Sequence, residues 1–274
     1  MSNRIRRVEL RDKTLVPAEA EVWVTVHLDH LTPTTEVRGR LMGPTCRYAS
    51  TVEVAYALRP LSKSQKPPAS EGPALTLRVV IPEPSLWDPT SPFLYHGPVE
   101  LWEDGTRVEQ ITIRHGLRSK TLNTHGLRWN GRPLTLRGHD VQTCSEDEML
   151  ALRAAGYNLL TAPLGDLELW ERADRIGFLV LGRVRTPDEA VPAELADHPS
   201  CLGFLFDADV WSQVDRGRRE RFRACGFVGV ELHEPPVGPL PPGLDFVACD
   251  AERCEEMVGV GLPVIPTRDA SLRR

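Results

Sequence analysis

Through the first part of the chain, apolar and polar residues alternate with a period of two. In Glu21–Leu28 the side chains of Val22, Val24, Val26 and Leu28 share one face; in Thr51–Leu58 it is Val52, Val54, Tyr56 and Leu58; in Leu75–Ile81 it is Leu75, Leu77, Val79 and Ile81. Each run predicts a strand with one buried face. Asp104-Gly105, between Val99–Glu103 and Val108–Arg114, predicts a hairpin, and the polar, proline-rich Ser62–Pro73 a long loop. Several short strands without a helix predict an immunoglobulin-like β-sandwich over residues 1–120, with no disulfide pattern of the antibody type.

The period changes near residue 130. Leu134–Arg137 predicts a short strand, and Ser145-Glu146-Asp147-Glu148 is a capping box opening a helix with Met149, Leu150 and Leu152 that stops at Gly156. Tyr157–Ala162 predicts the next strand. Asp166 caps a helix that turns Leu169, Trp170, Ala173 and Ile176 inward and ends at Gly177. Strands follow at Phe178–Val184, Cys201–Phe206, Phe227–Leu232, Phe246–Cys249 and Leu262–Ile265, with a basic helix over Asp215–Cys225. Pro235, Pro236, Pro239, Pro241 and Pro242 argue against a helix between the fifth and sixth strands. Such alternation means parallel strands joined by crossovers. A complete eight-unit barrel needs about 250 residues. Residues 121–274 therefore predict either an open sheet or a reduced (β/α) TIM-type barrel of about seven strands, and the barrel is favoured.

Composition narrows the partners. Hydrophobic residues make up 41% of the 274, enough for packed cores, and the formal net charge is −5. Neither nucleic acid nor an anionic membrane is favoured electrostatically, and no apolar run approaches the roughly 20 residues of a membrane span. The arginines of Asp215–Cys225 read as a solvated outer face. The N-terminus, Met1-Ser2-Asn3-Arg4-Ile5-Arg6-Arg7, lacks the apolar segment of a signal peptide and reads as mature sequence. Cys46, Cys144, Cys201, Cys225, Cys249 and Cys254 form no Cys-x-x-Cys pair and read as reduced, mostly buried thiols, which points to the cytoplasm.

Residues at the seam between the halves are more specific. Pro84-Ser85-Leu86-Trp87-Asp88-Pro89-Thr90-Ser91-Pro92-Phe93-Leu94-Tyr95 resembles the "LWxPxxPxLY" stretch of family 2 glycoside hydrolases, the group of β-galactosidases, β-glucuronidases and β-mannosidases. Gly116-Leu117-Arg118, Asn130-Gly131-Arg132-Pro133 with Leu136-Arg137-Gly138, Gly156-Tyr157-Asn158 and His198-Pro199-Ser200 resemble further pieces of that family in its order. The resemblance spans roughly residues 15 to 268. It implies a truncated member, without the family's N-terminal sugar-binding sandwich and the end of its barrel.

The resemblance also implies chemistry. Retaining glycosidases use two carboxyl groups about 5 Å apart, one as acid and one as nucleophile. In this family both are glutamates at the mouth of the barrel, ending its fourth and seventh strands. Counting from His198-Pro199-Ser200 places the acid/base at Asp209, and counting along the last strand places the nucleophile at Arg268, which cannot attack. The family's arginine after the Gly156-Tyr157-Asn158 piece maps near Thr161, and the histidine that follows it near Leu164. Cys201 to Trp211 contains no glutamate, and Leu262 to Arg274 has only Asp269 as a carboxylate. The expectation is therefore a pseudoenzyme. The alternative is an active glycosidase on β-linked sugars, with Asp209 as acid/base beside a substitute such as Glu234 or Asp250. His139, Asp140, His233, Glu234 and Asp250 follow strands and are candidate substrate-binding residues at one polar mouth. No metal or cofactor is expected: His139, Asp140 and His233 show no recognisable ligand spacing, and Gly259-Val260-Gly261 is too short for a nucleotide loop. The expected partners are a carbohydrate ligand, or a second copy pairing at open barrel edges.

Overall fold

A computed structural model describes residues 3–67, 72–257 and 259–268. Part of the expected Ser62–Pro73 loop, and Asp269, lie outside them. The chain divides into two compact units: Met1–Trp87 with Ser91–Arg118, and Asp88–Thr90 with Ser119–Arg274.

The first unit is a sandwich of two four-stranded antiparallel sheets. Its strands are β1 (Ile5–Val16), β2 (Glu19–Leu28), β3 (Glu36–Thr45), β4 (Val54–Ala57), β5 (Arg59–Pro60), β6 (Ala74–Pro82), β7 (Leu94–Glu103) and β8 (Thr106–His115). One sheet runs β1-β2-β6-β5 and the other β4-β3-β7-β8. Alternation works as expected on β2 and β6, where Val22, Val24, Val26, Val79 and Ile81 are fully buried against Leu41, Val99 and Leu101. It fails on β4, whose Val54 is exposed, as is Val52 just before it. β4 is the end strand of its sheet, so of that run only Tyr56, and Leu58 just after the strand, reach the core.

The seam motifs have structural roles in this unit. Trp87 is fully buried and its backbone N–H donates to the Leu117 carbonyl at 2.8 Å. The Tyr95 hydroxyl accepts from the Ser85 N–H at 3.0 Å. Asp12 meets the buried His115 at 2.6 Å. Burial pushes the Asp12 carboxyl up, but the hydrogen bond and charge of His115, with Arg118 nearby, outweigh it and hold its pKa below the ordinary carboxylate value.

The second unit opens with a three-stranded antiparallel piece, β9 (Lys120–Asn123), β10 (Gly126–Trp129) and β11 (Arg132–Pro133). Seven parallel strands follow in sequential order: β12 (Gly138–Asp140), β13 (Leu159–Pro163), β14 (Leu179–Val184), β15 (Cys201–Asp207), β16 (Phe227–Glu231), β17 (Phe246–Asp250) and β18 (Val264–Arg268). The helices are α1 (Glu146–Ala154), α2 (Leu167–Ile176), α3 (Ala208–Gln213) and α4 (Arg216–Cys225). The first barrel strand is not Leu134–Arg137 but β12, whose short sequence carries no apolar alternation. Residues 232–245 contain no helix, as their prolines predicted.

The sheet curls into a nearly closed seven-stranded barrel. At the seam β12 lies against β18: a Cβ added to Gly138 would sit 2.4 Å from the Pro266 carbonyl oxygen, so only glycine permits this approach. The capping box of α1 forms, with Ser145 Oγ accepting from Glu148 N–H and Glu148 Oε2 accepting from Ser145 N–H. Asp166 Oδ1 caps α2 through the Leu169 N–H at 3.0 Å. Four of the five arginines of α4 are engaged locally. Arg216 pairs with Glu220, Arg218 with Asp188 and Asp215, and Arg223 with Asp245, while Arg219 lies over the Trp211 ring.

His198-Pro199-Ser200 builds the entry to β15. Asp174, buried on α2, accepts from the Ser200 N–H at 3.0 Å and meets His198 Nδ1 at 2.6 Å. Burial lowers the His198 pKa, but the hydrogen bond and charge of Asp174 outweigh it, with Glu171 and Asp197 adding to the effect, so the imidazole titrates above its ordinary value.

Candidate functional site

Strand alternation decides which side chains enter the barrel. On β14, β15 and β16 the residues Val180, Val184, Phe204, Phe206, Val228 and Val230 pack into the layer that holds Trp170, Trp211 and Phe222 of the helices. Their neighbours Leu181, Arg183, Leu205, Asp207, Gly229 and Glu231 therefore face the interior. Phe246 fills the space that Gly229 leaves, since a Cβ there would lie 2.3 Å from the ring. Below the mouth the interior is thus apolar and packed.

At the C-terminal ends of the strands the interior becomes charged. Arg183 grips Glu231 with two nitrogens, at 2.6 and 3.3 Å. The same guanidinium lies 3.7 Å from Asp140. On the other side of Asp140, Arg268 donates at 3.0 Å. Three ion pairs thus run across the mouth from β16 through β14 and β12 to β18. The side chains of Arg183 and Glu231 are only 12% and 4% exposed, whereas Arg268 is 38% exposed.

Electrostatics locks the pair. Burial alone would raise the Glu231 pKa, but hydrogen bonds and charge from Arg183 outweigh it, with Arg268 and His233 adding to the effect. The carboxyl is held below its ordinary range and stays ionised. Arg183 is driven the other way: burial would lower its pKa, but Glu231, Asp140 and Asp207 raise it. Both partners are fixed in their charged forms. Thr161, fully buried on β13, has a side-chain oxygen with no hydrogen-bond partner among the described residues.

The structure places the sequence candidates as follows. β15 ends at Asp207, and Asp209 lies two residues later in the first turn of α3, exposed. Arg268 is the last residue of β18 and faces Asp250 in register. Asp140 joins the charged cluster. His139, next to it, points the other way and meets the Tyr157 ring edge-on at 5.4 Å. With Gln142, Thr143, Cys144, Glu148 and Leu152 it lines a cavity of about 540 Å³ beside α1. His233 and Glu234 are exposed beyond the end of β16, where the His233 carbonyl accepts from Arg253. Leu164 is buried among helix-facing residues. Among the described residues no group of three or more His, Cys, Asp or Glu could hold a metal ion.

Three residues of the mouth were not singled out in the sequence: Arg183, Glu231 and Asp207. Two of them carried a usable signal. Arg183 and Glu231 are single, oppositely charged residues inside otherwise apolar strand runs, and buried charges need partners.

Comparison with known proteins fits this geometry. The sequence model for glycosyl hydrolases family 2 matches residues 4–118. Among solved structures, the FMN-binding β-glucuronidase of Facaelibacterium prausnitzii L2-6 superposes with a TM-score of 0.66 at 14% identity, covering 89% of this chain and 42% of that one. A glycosyl hydrolase family 2 member from Bacteroides cellulosilyticus DSM 14838 gives 0.63 at 17% identity, covering 91% and 40%. The β-glucuronidase of Parabacteroides merdae gives 0.62 at 14%, covering 90% and 36%. The chain thus spans well under half the length of these structures. No helix among the described residues is long and apolar enough to cross a membrane. The sandwich, residues 4–118, is thus similar to the glycosyl hydrolases family 2 model, and the chain shares the fold of these structures over about nine-tenths of its length.

Proposed function

We propose that this protein is a non-hydrolytic member of the family whose barrel mouth binds carbohydrate without cleaving it. The observation that carries this reading is the mouth cluster. A retaining glycosidase needs one carboxyl group that is protonated before the reaction and a second one free to attack. Here the most buried carboxylate of the mouth cluster, Glu231, is held ionised by the two-nitrogen grip of Arg183. The end of β18, where the family resemblance puts the nucleophile, is occupied by Arg268, bonded to Asp140. A guanidinium there would oppose the cationic character of a glycosyl transition state. It would still donate hydrogen bonds to sugar hydroxyls or to a sugar carboxylate.

Calorimetric titration with methyl glycosides, free uronic acids and short oligosaccharides tests this. At least one class is expected to bind and to be recovered intact. Arg268→Ala should weaken that binding roughly tenfold or more, as expected for loss of a charged hydrogen bond. No binding across the panel, or binding indifferent to Arg268→Ala, would refute the assignment of the mouth.

A further inference from the structure

Two of the cysteines lie together at the barrel mouth. Cys249 is on β17 and Cys254 follows a short 3-10 turn, Ala251–Arg253, and their sulfurs are 3.4 Å apart. The intervening residues hold them there. Asp250 offers its carbonyl to the Cys254 thiol at 3.7 Å, and the Cys249 carbonyl accepts from Thr267 Oγ1 of β18 at 3.3 Å. Cys249 is completely buried, whereas Cys254 is partly exposed.

We propose that Cys249 and Cys254 form a reversible dithiol–disulfide site, oxidised by exchange with a low-molecular-weight disulfide of the glutathione type. The sulfurs need to approach by little more than 1 Å to reach the roughly 2.05 Å of a bond. Cys254 is the entry thiol, because a reagent can reach it. It gives its proton to solvent and attacks one sulfur of glutathione disulfide; that S–S bond breaks, and one glutathione leaves and takes up a proton. Cys249 then loses its proton and attacks Cys254 Sγ, forming the protein disulfide and releasing the second glutathione, which is also protonated. Two protein thiols lose two electrons in total, and one glutathione disulfide is reduced to two thiols. Such exchange needs a thiolate. Burial, with the hydrogen bond and charge of Cys254, pushes the Cys249 thiol up to about 12, so it is inert towards outside reagents while Cys254 is reduced. Once Cys254 is in a mixed disulfide, its sulfur no longer carries the charge that opposes Cys249, and the buried thiol has one target within reach. The closed loop is short, so the effect is local. It fastens the end of β17 to the segment leading to β18, beside Asp250 and Arg268.

Peptide mapping of the wild-type protein tests the site, because Arg253 stands between the two cysteines. Trypsin cutting after Arg223, Arg253 and Arg268 yields residues 224–253 and 254–268 as separate peptides from the reduced protein. After equilibration with excess glutathione disulfide and acid quenching, the two peptides are expected as one cross-linked species, with at least a tenfold loss of the separate forms, restored by dithiothreitol. A second cut after Glu231 removes Cys225 from the cross-linked species and must leave the link intact. Peptides that stay separate, that each carry a glutathione, or that are joined through Cys225 would overturn the proposal.

Discussion

Replacing Arg183 by leucine is expected to destabilise the barrel unit by about 3–5 kcal/mol, since it leaves a buried carboxylate without its partner. Glu231 has a 4% exposed side chain and meets Arg183 at two nitrogens. Without that guanidinium the burial that now opposes ionisation acts with less resistance. The Glu231 pKa should therefore rise from below its ordinary value to above it. Denaturant unfolding followed by circular dichroism reads the stability, and carbon-13 NMR of the Glu231 carboxyl reads the titration. The sign with pH follows from the depressed folded-state value. The wild-type pair contributes stability above the ordinary glutamate pKa of 4.5, and loses it as the pH falls through the folded-state value. The double variant Arg183→Leu with Glu231→Leu should recover most of the loss, because a buried ion pair is worth little against a well-packed apolar pair. A single variant as stable as wild type would show that the pair does not sit in a closed interior.

Asp174→Ala is the second large effect, also about 3–5 kcal/mol. It strips the Ser200 N–H and the His198 imidazole of a shared buried carboxylate. Each kcal/mol shifts a unit of this size by about 2–4 °C in its midpoint. The pH dependence separates this contact from simple loss of packing. His198 titrates above its ordinary 6.5 in the folded protein, so the pairing contributes its full stability below pH 6.5 and loses it as the pH rises through the folded-state value. The difference between wild type and Asp174→Ala, measured by thermal unfolding, should therefore shrink on the alkaline side of pH 6.5. A difference that is constant with pH would mean that the charge on His198 contributes nothing.

These contacts explain why the family resemblance was legible while the chemistry was less so. Trp87, Leu117, Tyr95 and His198-Pro199-Ser200 hold the framework: Trp87 bonds Leu117, Tyr95 bonds Ser85, and His198 and Ser200 bond Asp174. Framework residues of this kind persist whether or not a reaction does. Most of the strands were legible for the same reason, since period-two burial on β2 and β6 writes itself into the sequence. β1 escaped because Arg6, Arg7, Glu9, Arg11, Asp12 and Lys13 interrupt its apolar residues, and one of them, Asp12, is held by His115. β12 escaped because Gly138, His139 and Asp140 serve closure and charge rather than an apolar face.

The mouth was only half legible. Counting along the chain marks the ends of the strands to within a residue or two, which separates Asp209 from the strand-ending Asp207. It does not show that Asp140, Arg183, Glu231 and Arg268 join, because that cluster draws one residue from each of four strands. Register and barrel closure create it. His139 and Asp140 illustrate the limit: adjacent in sequence, one enters the charged cluster and the other meets Tyr157.

Binding without hydrolysis at this mouth is tested by release of nitrophenol from a panel of α- and β-linked nitrophenyl glycosides and glucuronides. The purified protein is predicted to release none above buffer, at any pH from 4 to 8, and to match its Glu231→Gln variant. Release that falls on Asp209→Asn, Asp207→Asn or Glu231→Gln would establish a working acid at the mouth and overturn the non-hydrolytic reading.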